Sequence, residues 1–212
     1  MGPIGVIYCE TPTNPTNEIC DLGLMKRLAD EIGERQGFRP PVIVDNTMQG
    51  PIGQQPLQHG ADVVVYSLTK YIGGHSDLIG GAALGSSEYM GPVRKLRSAM
   101  GTNLDPNTCW MLLRSLETVK LRMTAAFEGA RQVAEFLKGH PKIEKVRYLG
   151  FLEPGTRDHD LHMKQTGGCN GSTFSFDVKG GQEAAFRMLN ALQIVKLAVS
   201  LGGTESLICH PG

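Results

Sequence analysis

Short apolar runs alternate with amphipathic segments along the first part of the chain. Residues 5–9, 41–45 and 62–67 have the length and the β-branched content of buried strands. Between the first two runs, apolar residues recur at helical spacing from Asp21, which can cap a helix, to Gly37, which can end one. The pattern predicts a β-α-β unit followed by a third strand.

A fourth apolar run, residues 79–84, follows a glycine-rich turn and predicts one more strand. Strands that alternate with helices indicate an α/β fold with a mainly parallel sheet, whose strand order the sequence leaves open. Residues 105–139 have a helical pattern with Pro106 near its start. One helix of that length would far exceed the average of ~11–12 residues, so we expect a break or kink.

The pattern changes after residue 140. Residues 143–148 and 172–178 alternate between apolar and polar side chains, a helix is expected at 182–190 and a strand at 194–199. The sequence thus predicts a large domain over residues 1–139 that ends in the long helix, and an α+β domain over residues 140–212. Since the chain starts on one predicted strand and stops just after another, we expect both domains to be partial.

Composition narrows the class of function. The 212 residues include 21 Lys plus Arg and 21 Asp plus Glu, so the formal net charge is zero, and no basic excess indicates nucleic acid. No apolar run approaches the ~20 residues of a membrane span, and the start lacks the features of a secretory signal. The five scattered cysteines are expected to be reduced thiols. These features predict a cytoplasmic protein that acts on small molecules, without nucleic-acid or membrane partners.

Lys70 and Asp45 are the first candidates for chemistry. Lys70 lies just after a predicted buried strand, near the hydroxyl residues Ser67 and Thr69. Desolvation at such a position lowers the pKa of an amine and makes it nucleophilic, and the two hydroxyls can hydrogen-bond a phosphate. Asp45 ends another predicted strand, where open α/β sheets bind ligands. Each has a plainer interpretation: a lone lysine is ordinarily solvated, and an aspartate after a strand is often a cap or turn residue.

Four segments together resemble a known family. They are E-T-P-T-N-P at residues 10–15, V-I-V-D-N-T at 42–47, Y-S-L-T-K-Y-I-G-G-H at 66–75 and V-S-L-G-G-T-E-S-L at 199–207. In this order they resemble the Cys/Met-metabolism family of pyridoxal-phosphate (PLP)-dependent enzymes, which includes cystathionine γ-synthase, cystathionine lyases, homoserine sulfhydrylases and methionine γ-lyase. The resemblance implies the large domain of the aspartate-aminotransferase type, with a mainly parallel sheet, followed by part of an α+β C-terminal domain.

The resemblance also implies how the cofactor, pyridoxal 5′-phosphate, is held. Lys70 would form the covalent link to it and would later move protons between substrate carbons. Asp45 would keep the pyridine nitrogen protonated, while Ser67 and Thr69 would bind the phosphate. Metal ligation is not part of this implied site.

Two further residues complete the implied site. Asn14 would lie near the phenolic oxygen of the ring, and Ser200 would help to bind the substrate carboxylate. The implied reaction is γ-elimination or γ-replacement on a sulfur amino acid or an acylated homoserine, in transsulfuration and methionine metabolism. The implied assembly is a homotetramer built from active-site dimers.

Other parts of the family's site are not found in this sequence. In the family, segments preceding and following the present ones supply a phosphate-binding glycine turn, a stacking tyrosine and the arginine that grips the substrate carboxylate. Without these groups we expect weak cofactor retention. The alternative function is therefore a truncated, catalytically inactive domain that does not retain PLP, and the residues leave open both this choice and that between elimination and replacement.

One histidine pair offers a competing interpretation. His159 and His162 are three positions apart among acidic residues, a spacing that suits a zinc site. The surrounding sequence predicts a solvated polar loop instead, so we expect no metal there.

Overall fold

The computed structural model describes residues 2–211 and contains a four-stranded sheet as its central element. Its strands β1 (Ile7–Glu10), β2 (Val42–Asp45), β3 (Val63–Ser67) and β4 (Gly81–Gly85) lie side by side in that order. The first three are parallel, and β4 runs antiparallel to β3. The predicted mainly parallel sheet is confirmed, although the fourth strand starts two residues later than expected.

The helix α1 (Leu22–Gln36) connects β1 to β2 and covers one face of the sheet. The Asp21 carboxylate accepts a hydrogen bond from Leu24 N at 2.9 Å, and Gly37 ends the helix with a φ of 83°. Leu22 and Ala29 are fully buried against the sheet residues Val42, Val44 and Val64. Both predicted helix ends are confirmed, because capping depends on local side chains.

Four helices follow in the rest of this part of the chain: α2 (Gly50–Gly53), α3 (Ser87–Met100), α4 (Pro106–Leu116) and α5 (Val119–Lys138). The predicted break in the long helical segment lies at Glu117 and Thr118. Thr118 has a φ of −110° and a ψ of 2°, outside the helical region. After the break, Val119 and Met123 of α5 pack against Tyr71, which lies in the turn that follows β3.

The last third of the chain forms two small sheets. Strands β5 (Ile143–Arg147) and β6 (Ser175–Val178) are antiparallel, and α6 (Arg157–Thr166) lies between them in sequence. Helix α7 (Gly181–Ala191) confirms the helix expected there. The strands predicted at 172–178 and 194–199 were too long, since β6 has four residues and β7 (Lys196–Leu197) has two. In the described part of the chain, β7 pairs only with the equally short β8 (Leu207–Ile208), which limits the length of their ladder.

The prediction of a loop around His162 was wrong. His162 is on α6, is 2% exposed, and forms hydrogen bonds of 2.9 Å to Asn170 Oδ1 and to Thr166 Oγ1. Thr156 caps the helix by accepting from His159 N. The capping threonine, which the sequence interpretation overlooked, is the local signal for this helix. Residues 2–211 contain no group of three or more His, Cys, Asp or Glu side chains capable of binding a metal ion.

Several large apolar side chains of α3, α4 and α5 remain at the surface. They include Leu96, Met100, Trp110, Leu113, Leu121 and Phe136. Trp110 is 58% exposed, Leu113 67% and Leu121 73%. None of the helices in residues 2–211 combines the length and the apolar character that crossing a membrane requires.

Two buried amide side chains connect the beginning of the chain to its last third. Asn17 donates to the carbonyls of Arg147 and Thr173 at 3.1 and 2.8 Å. Gln165 accepts from Leu22 N at 2.9 Å and donates to the carbonyl of Cys20 at 3.0 Å. Because buried backbone groups require partners, these bonds fix the segment between β1 and α1 against β5 and α6.

Candidate active site

The carboxyl ends of β1, β2 and β3 meet at one edge of the sheet. The strand register pairs Glu10 with Asp45 and Asp45 with Val65, so Ser67 lies two residues further along β3. Thr47, just after β2, accepts a hydrogen bond from Ser67 N at 2.8 Å. The ends of two neighbouring strands, which carry two predicted site residues, are thereby held together.

Both carboxylate oxygens of Asp45 have a fixed hydrogen-bond donor. Oδ1 accepts from Thr47 N at 2.9 Å, and Oδ2 accepts from the Tyr8 hydroxyl at 3.2 Å. Partial burial, followed by the nearby Asp45 charge, raises the pKa of Tyr8, so this hydroxyl remains a donor at neutral pH. The carboxylate is therefore oriented before any ligand binds, with lone pairs left to accept a further N–H.

Lys70 lies in a tight turn that follows β3. The segment Leu68–Ile72 forms a single π-helical turn, inside which Lys70 adopts a non-helical conformation with φ −88° and ψ −130°. Gly73 N and Gly74 N donate back to the carbonyls of Leu68 and Lys70, both at 2.7 Å. The side chain leaves this closed turn, and Nζ donates to Ser200 Oγ at 3.0 Å.

Ser200 reaches Lys70 because the backbone at Gly202 approaches the turn very closely. A Cβ atom at Gly202 would lie 2.5 Å from Tyr71 N and 2.9 Å from the carbonyl carbon of Lys70. Gly202 also has a φ of 78°, which side chains disfavour. The glycine after the V-S-L motif thus permits the contact between two predicted site residues.

The two predicted phosphate ligands differ in their hydrogen bonds. Thr69 Oγ1 donates to the Gly80 carbonyl at 3.4 Å and accepts from Gly80 N at 3.1 Å. Ser67 donates its backbone N–H to Thr47, and no hydrogen bond of its hydroxyl is found within residues 2–211. Ser67 is a ready donor for an anion, whereas Thr69 would first have to exchange its long bond to Gly80.

Asn14 lies in the loop that follows β1, at the same edge of the sheet. Its backbone N donates to Glu10 Oε1 at 2.7 Å, and its side chain is exposed. The described hydrogen bonds join this amide to neither Asp45 nor Lys70. The structure thus places Asn14 next to Glu10 at the end of β1, without a hydrogen bond to another predicted site residue within residues 2–211.

An open cleft of about 660 Å³ lies beside the lysine turn. Thr69 and Ser200 are on its walls, together with Asp77, Lys196 and Glu205. Glu205 accepts from the Ser76 hydroxyl at 3.2 Å, a bond that connects the two sides. The cleft therefore offers charges of both signs next to the predicted substrate-carboxylate ligand.

A family model, described as Cys/Met metabolism PLP-dependent enzyme, matches residues 3–212. The chain belongs to this family. An L-methionine gamma-lyase of Fusobacterium nucleatum subsp. polymorphum is 42% identical over 97% of this chain and 51% of the relative. A cystathionine gamma-lyase of Bacillus subtilis is 40% identical over 97% of the chain and 52% of the relative. The chain spans about half the length of these curated relatives.

Solved structures show the same fold. A cystathionine gamma-lyase from Lactobacillus plantarum, crystallised with L-serine, superposes with a TM-score of 0.87 at 36% identity, over 97% of this chain and 52% of that one. A cystathionine gamma synthase from Xanthomonas oryzae pv. oryzae gives a TM-score of 0.88 at 36% identity, over 98% and 51%. The predicted fold, the large domain of a PLP-dependent transferase with part of the following domain, is confirmed.

The donor set of this Cys/Met-family site fits PLP. An anchored carboxylate at Asp45 suits a protonated ring nitrogen, and an amine at Lys70 suits an aldehyde. The hydroxyl of Ser67, which has no hydrogen bond within residues 2–211, suits a phosphate. Asp45 ends β2 and Ser67 ends the adjacent strand β3, and Lys70 lies in the turn directly after β3. This is the edge at which open α/β sheets bind ligands.

Two residues of the site were missed from the sequence. Tyr8 shares a strand face with Glu10 two positions later, a spacing that could have placed it beside Asp45. Arg122, on α5, donates to the carbonyls of Tyr71, Ile72 and Ser115 at 2.6, 3.2 and 2.9 Å. Nothing in the local pattern distinguishes Arg122, because the carbonyls of Tyr71 and Ile72 that it contacts are 51 and 50 positions away in sequence.

Proposed function

We propose that this chain carries the cofactor lysine of a PLP-dependent enzyme that performs γ-elimination or γ-replacement on a sulfur amino acid or an acylated homoserine. The observation that carries the proposal is the Lys70 amine, placed one turn beyond the strand adjacent to Asp45 and 3.0 Å from Ser200. Its support is the shared family and the relatives' names, which include gamma-lyases and a gamma synthase. PLP, when bound, supplies an electron sink for the charge that develops at the substrate Cα.

In the proposed mechanism Lys70 holds the cofactor and, once freed, carries a proton between substrate carbon atoms. The hydroxyl of Ser200 accepts from Lys70 Nζ and so directs the amine toward the cleft. Asp45 holds a proton on the ring nitrogen, and the Tyr8 hydroxyl keeps that carboxylate in place. Each role follows from a donor or an acceptor that the fold already orients.

The remaining proposed contacts concern the phosphate and the ring. The hydroxyls of Ser67 and Thr69 donate hydrogen bonds to the phosphate, and the amide of Asn14 lies near the phenolic oxygen of the cofactor ring. Ser200 also helps to bind the substrate carboxylate. These roles rest on the matching family motifs and on the location of all four residues around the carboxyl edge of the sheet.

The setting of the enzyme is part of the proposal. We place the boundary between the large domain, residues 1–139, and the C-terminal domain, residues 140–212, in the turn between α5 and β5. The whole protein acts in the cytoplasm as a homotetramer of active-site dimers. Apolar side chains on α3, α4 and α5 support such an assembly, because exposed apolar patches favour association.

A second candidate function, a catalytically inactive domain that does not retain PLP, is favoured by one observation. The Thr69 hydroxyl forms hydrogen bonds to both the N–H and the carbonyl of Gly80, so of the predicted phosphate pair the Ser67 hydroxyl alone has no hydrogen bond within residues 2–211. Each charge-assisted hydrogen bond contributes about 1.5–3 kcal/mol. A phosphate bound by few donors would dissociate readily.

The experiment is reduction with borohydride after addition of PLP, followed by peptide mass spectrometry. The visible absorption band of lysine-bound PLP before reduction, and covalent PLP on the peptide containing Lys70 after it, are expected for the chain and for Lys120→Ala, whose lysine is exposed on α5. Lys70→Ala is expected to lose both. Label on other lysines alone would contradict the role of Lys70, and a folded chain without label would establish the inactive alternative for this chain.

A further inference from the structure

Arg122 of α5 lies against the end of the turn that carries Lys70. Its Nη1 donates to the Tyr71 carbonyl at 2.6 Å, and its Nη2 donates to the Ile72 carbonyl at 3.2 Å. Tyr71 and Ile72 are 4% and 8% exposed, and buried carbonyls require partners. Because the last carbonyls of a helical turn have no partner within it, the guanidinium supplies these hydrogen bonds from outside the turn.

The same side chain is bound at the break between α4 and α5. Nη2 also donates to the Ser115 carbonyl at 2.9 Å, and Nε donates to Thr118 Oγ1 at 3.1 Å. A guanidinium remains charged in a protein, so each of its four hydrogen bonds to these neutral acceptors is charge-assisted. One planar group therefore joins the helix break to the turn that carries Lys70.

Gly74 makes room for the guanidinium. Its N–H donates to the Lys70 carbonyl at 2.7 Å, which closes the turn. A Cβ atom at Gly74 would overlap the guanidinium of Arg122, and the φ of 71° also favours glycine. The residue that closes the lysine turn is thus the residue against which the guanidinium lies.

The direction of the Lys70 amine depends on this closed turn. Nζ reaches Ser200 Oγ at 3.0 Å, and the backbone of Gly202 lies against that of Tyr71, the residue next to Lys70. An opening of the turn would shift the backbone from which the lysine side chain extends. The amine would then leave both Ser200 and the sheet edge that carries Asp45.

We propose that Arg122 is a positioning residue for Lys70: it holds the lysine turn closed and so keeps the amine directed at the cofactor. This inference deepens the proposed function and rests on it for the identity of that cofactor. Arg122 acts through the backbone of Tyr71 and Ile72, since its hydrogen bonds within residues 2–211 go to protein carbonyls and one hydroxyl. It has no direct contact with PLP or substrate in this proposal.

Amide hydrogen exchange, followed by NMR, tests without PLP whether Arg122 holds the turn. In Arg122→Met the amides of Gly73 and Gly74 should exchange at least ~10-fold faster relative to the amides of β2, because the turn opens locally. Leu149→Ala is the matched control. Leu149 is 2% exposed in the turn after β5, so its truncation should lower the global stability comparably but leave that ratio unchanged. Arg122→Lys should have an intermediate ratio.

The rate at which PLP becomes linked to Lys70 tests whether the closed turn positions the amine. The absorption band of lysine-bound PLP should form at least ~10-fold more slowly in Arg122→Met, since a displacement of about 1 Å can slow a reaction of positioned groups ~100-fold. Leu149→Ala should form the band at the unaltered rate under conditions in which urea unfolding shows both variants to be folded. A residue that only stabilised the fold would affect both variants alike.

Gly74→Ala tests whether the effect passes through the guanidinium. Its methyl group should displace the Arg122 side chain and slow the linkage of PLP to a similar extent. The double variant Gly74→Ala/Arg122→Met should be no slower than Arg122→Met, because the colliding group is then absent. Gly101→Ala, at a glycine with a φ of 70° and open space around it, should match the unaltered chain.

Three results would overturn the proposal. One is an unchanged exchange ratio for Gly73 and Gly74 in Arg122→Met. Another is linkage of PLP at the rate of Leu149→Ala even though the turn has opened. The third is a double variant slowed by the product of the two single effects. If the unaltered chain takes up no PLP, the proposed function fails for this chain, and the exchange ratios alone then decide whether Arg122 positions Lys70.

Discussion

Lys70 Nζ donates to Ser200 Oγ at 3.0 Å, although the two residues are 130 positions apart in the chain. They come from two of the four segments that resemble the Cys/Met family, and Lys70 lies after β3 whereas Ser200 lies between β7 and β8. The bond depends on the close backbone approach at Gly202. The candidate site is therefore sensitive to changes that leave its functional side chains intact.

Gly202→Ala tests this dependence. The added Cβ would collide with the backbone of Tyr71 at a residue whose φ is 78°, so a loss of about 2–4 kcal/mol in the free energy of unfolding is expected from the strain and the collision together. Gly101→Ala is the matched control, with a φ of 70° but open space around it, and should lose only about 1–2 kcal/mol. If urea unfolding gave the same loss of stability for Gly202→Ala and Gly101→Ala, the close backbone contact at Gly202 would not contribute to the loss.

Tyr8→Phe removes the hydroxyl that donates to Asp45. The affinity for PLP should fall about 5-fold, which corresponds to one hydrogen bond of about 1 kcal/mol to a carboxylate that must stay oriented. Absorption titration with PLP measures this change, and urea unfolding shows whether the fold is unaffected. Tyr89→Phe, at a tyrosine on α3, should bind like the unaltered chain. If Tyr8→Phe bound PLP with unchanged affinity, Tyr8 would have no role in the site.

Arg122→Met should destabilise the turn that carries Lys70. The guanidinium donates to three carbonyls, and burial lowers its pKa without removing its charge. Loss of these bonds should reduce the free energy of unfolding by about 2–4 kcal/mol. Arg122→Lys should recover only part of this loss, since an ammonium lacks the planar fork that reaches several carbonyls.

The control for Arg122 is Arg94→Met, at an exposed position of α3, which should change stability by less than about 0.5 kcal/mol. Chemical denaturation of the three variants gives the comparison. A similar small effect for Arg122→Met would mean that solvent replaces the guanidinium at the turn.

His162 should make stability depend on pH below neutrality. Burial lowers its pKa in the folded chain, so the unfolded state binds a proton more readily. Its contribution to stability is therefore fully present above the unfolded pKa of ~6.5 and is lost as the pH falls below it. His162→Gln should be less stable at pH 8 but should show a shallower decline between pH 7 and 5. His59→Gln, at a histidine that is only partly buried, should retain the original slope, and urea midpoints across this range report both.

Local interactions explain what could be predicted from the residues alone. The Asp21 cap and the Gly37 terminator define α1, the apolar runs define β1 to β3, and the break near residue 117 follows from the length of the helical segment. Ile79 illustrates the limit, since it lies in an apolar run and yet is 84% exposed outside β4. The apolar run that contains Ile79 does not show whether a neighbouring strand covers this residue, and within residues 2–211 none does.

Long-range packing accounts for the rest. The antiparallel direction of β4, the Tyr8–Asp45 bond and the Arg122 contacts all join segments whose separation no periodicity encodes. Patterns of 2 and 3.6 residues report which face of an element is apolar, but they carry no information about which other element covers it. Their positions after predicted strands made Lys70 and Asp45 candidates, and the family motifs added Ser200. Their arrangement at one sheet edge depends on strand order and backbone approach, which arise only when the chain packs on itself.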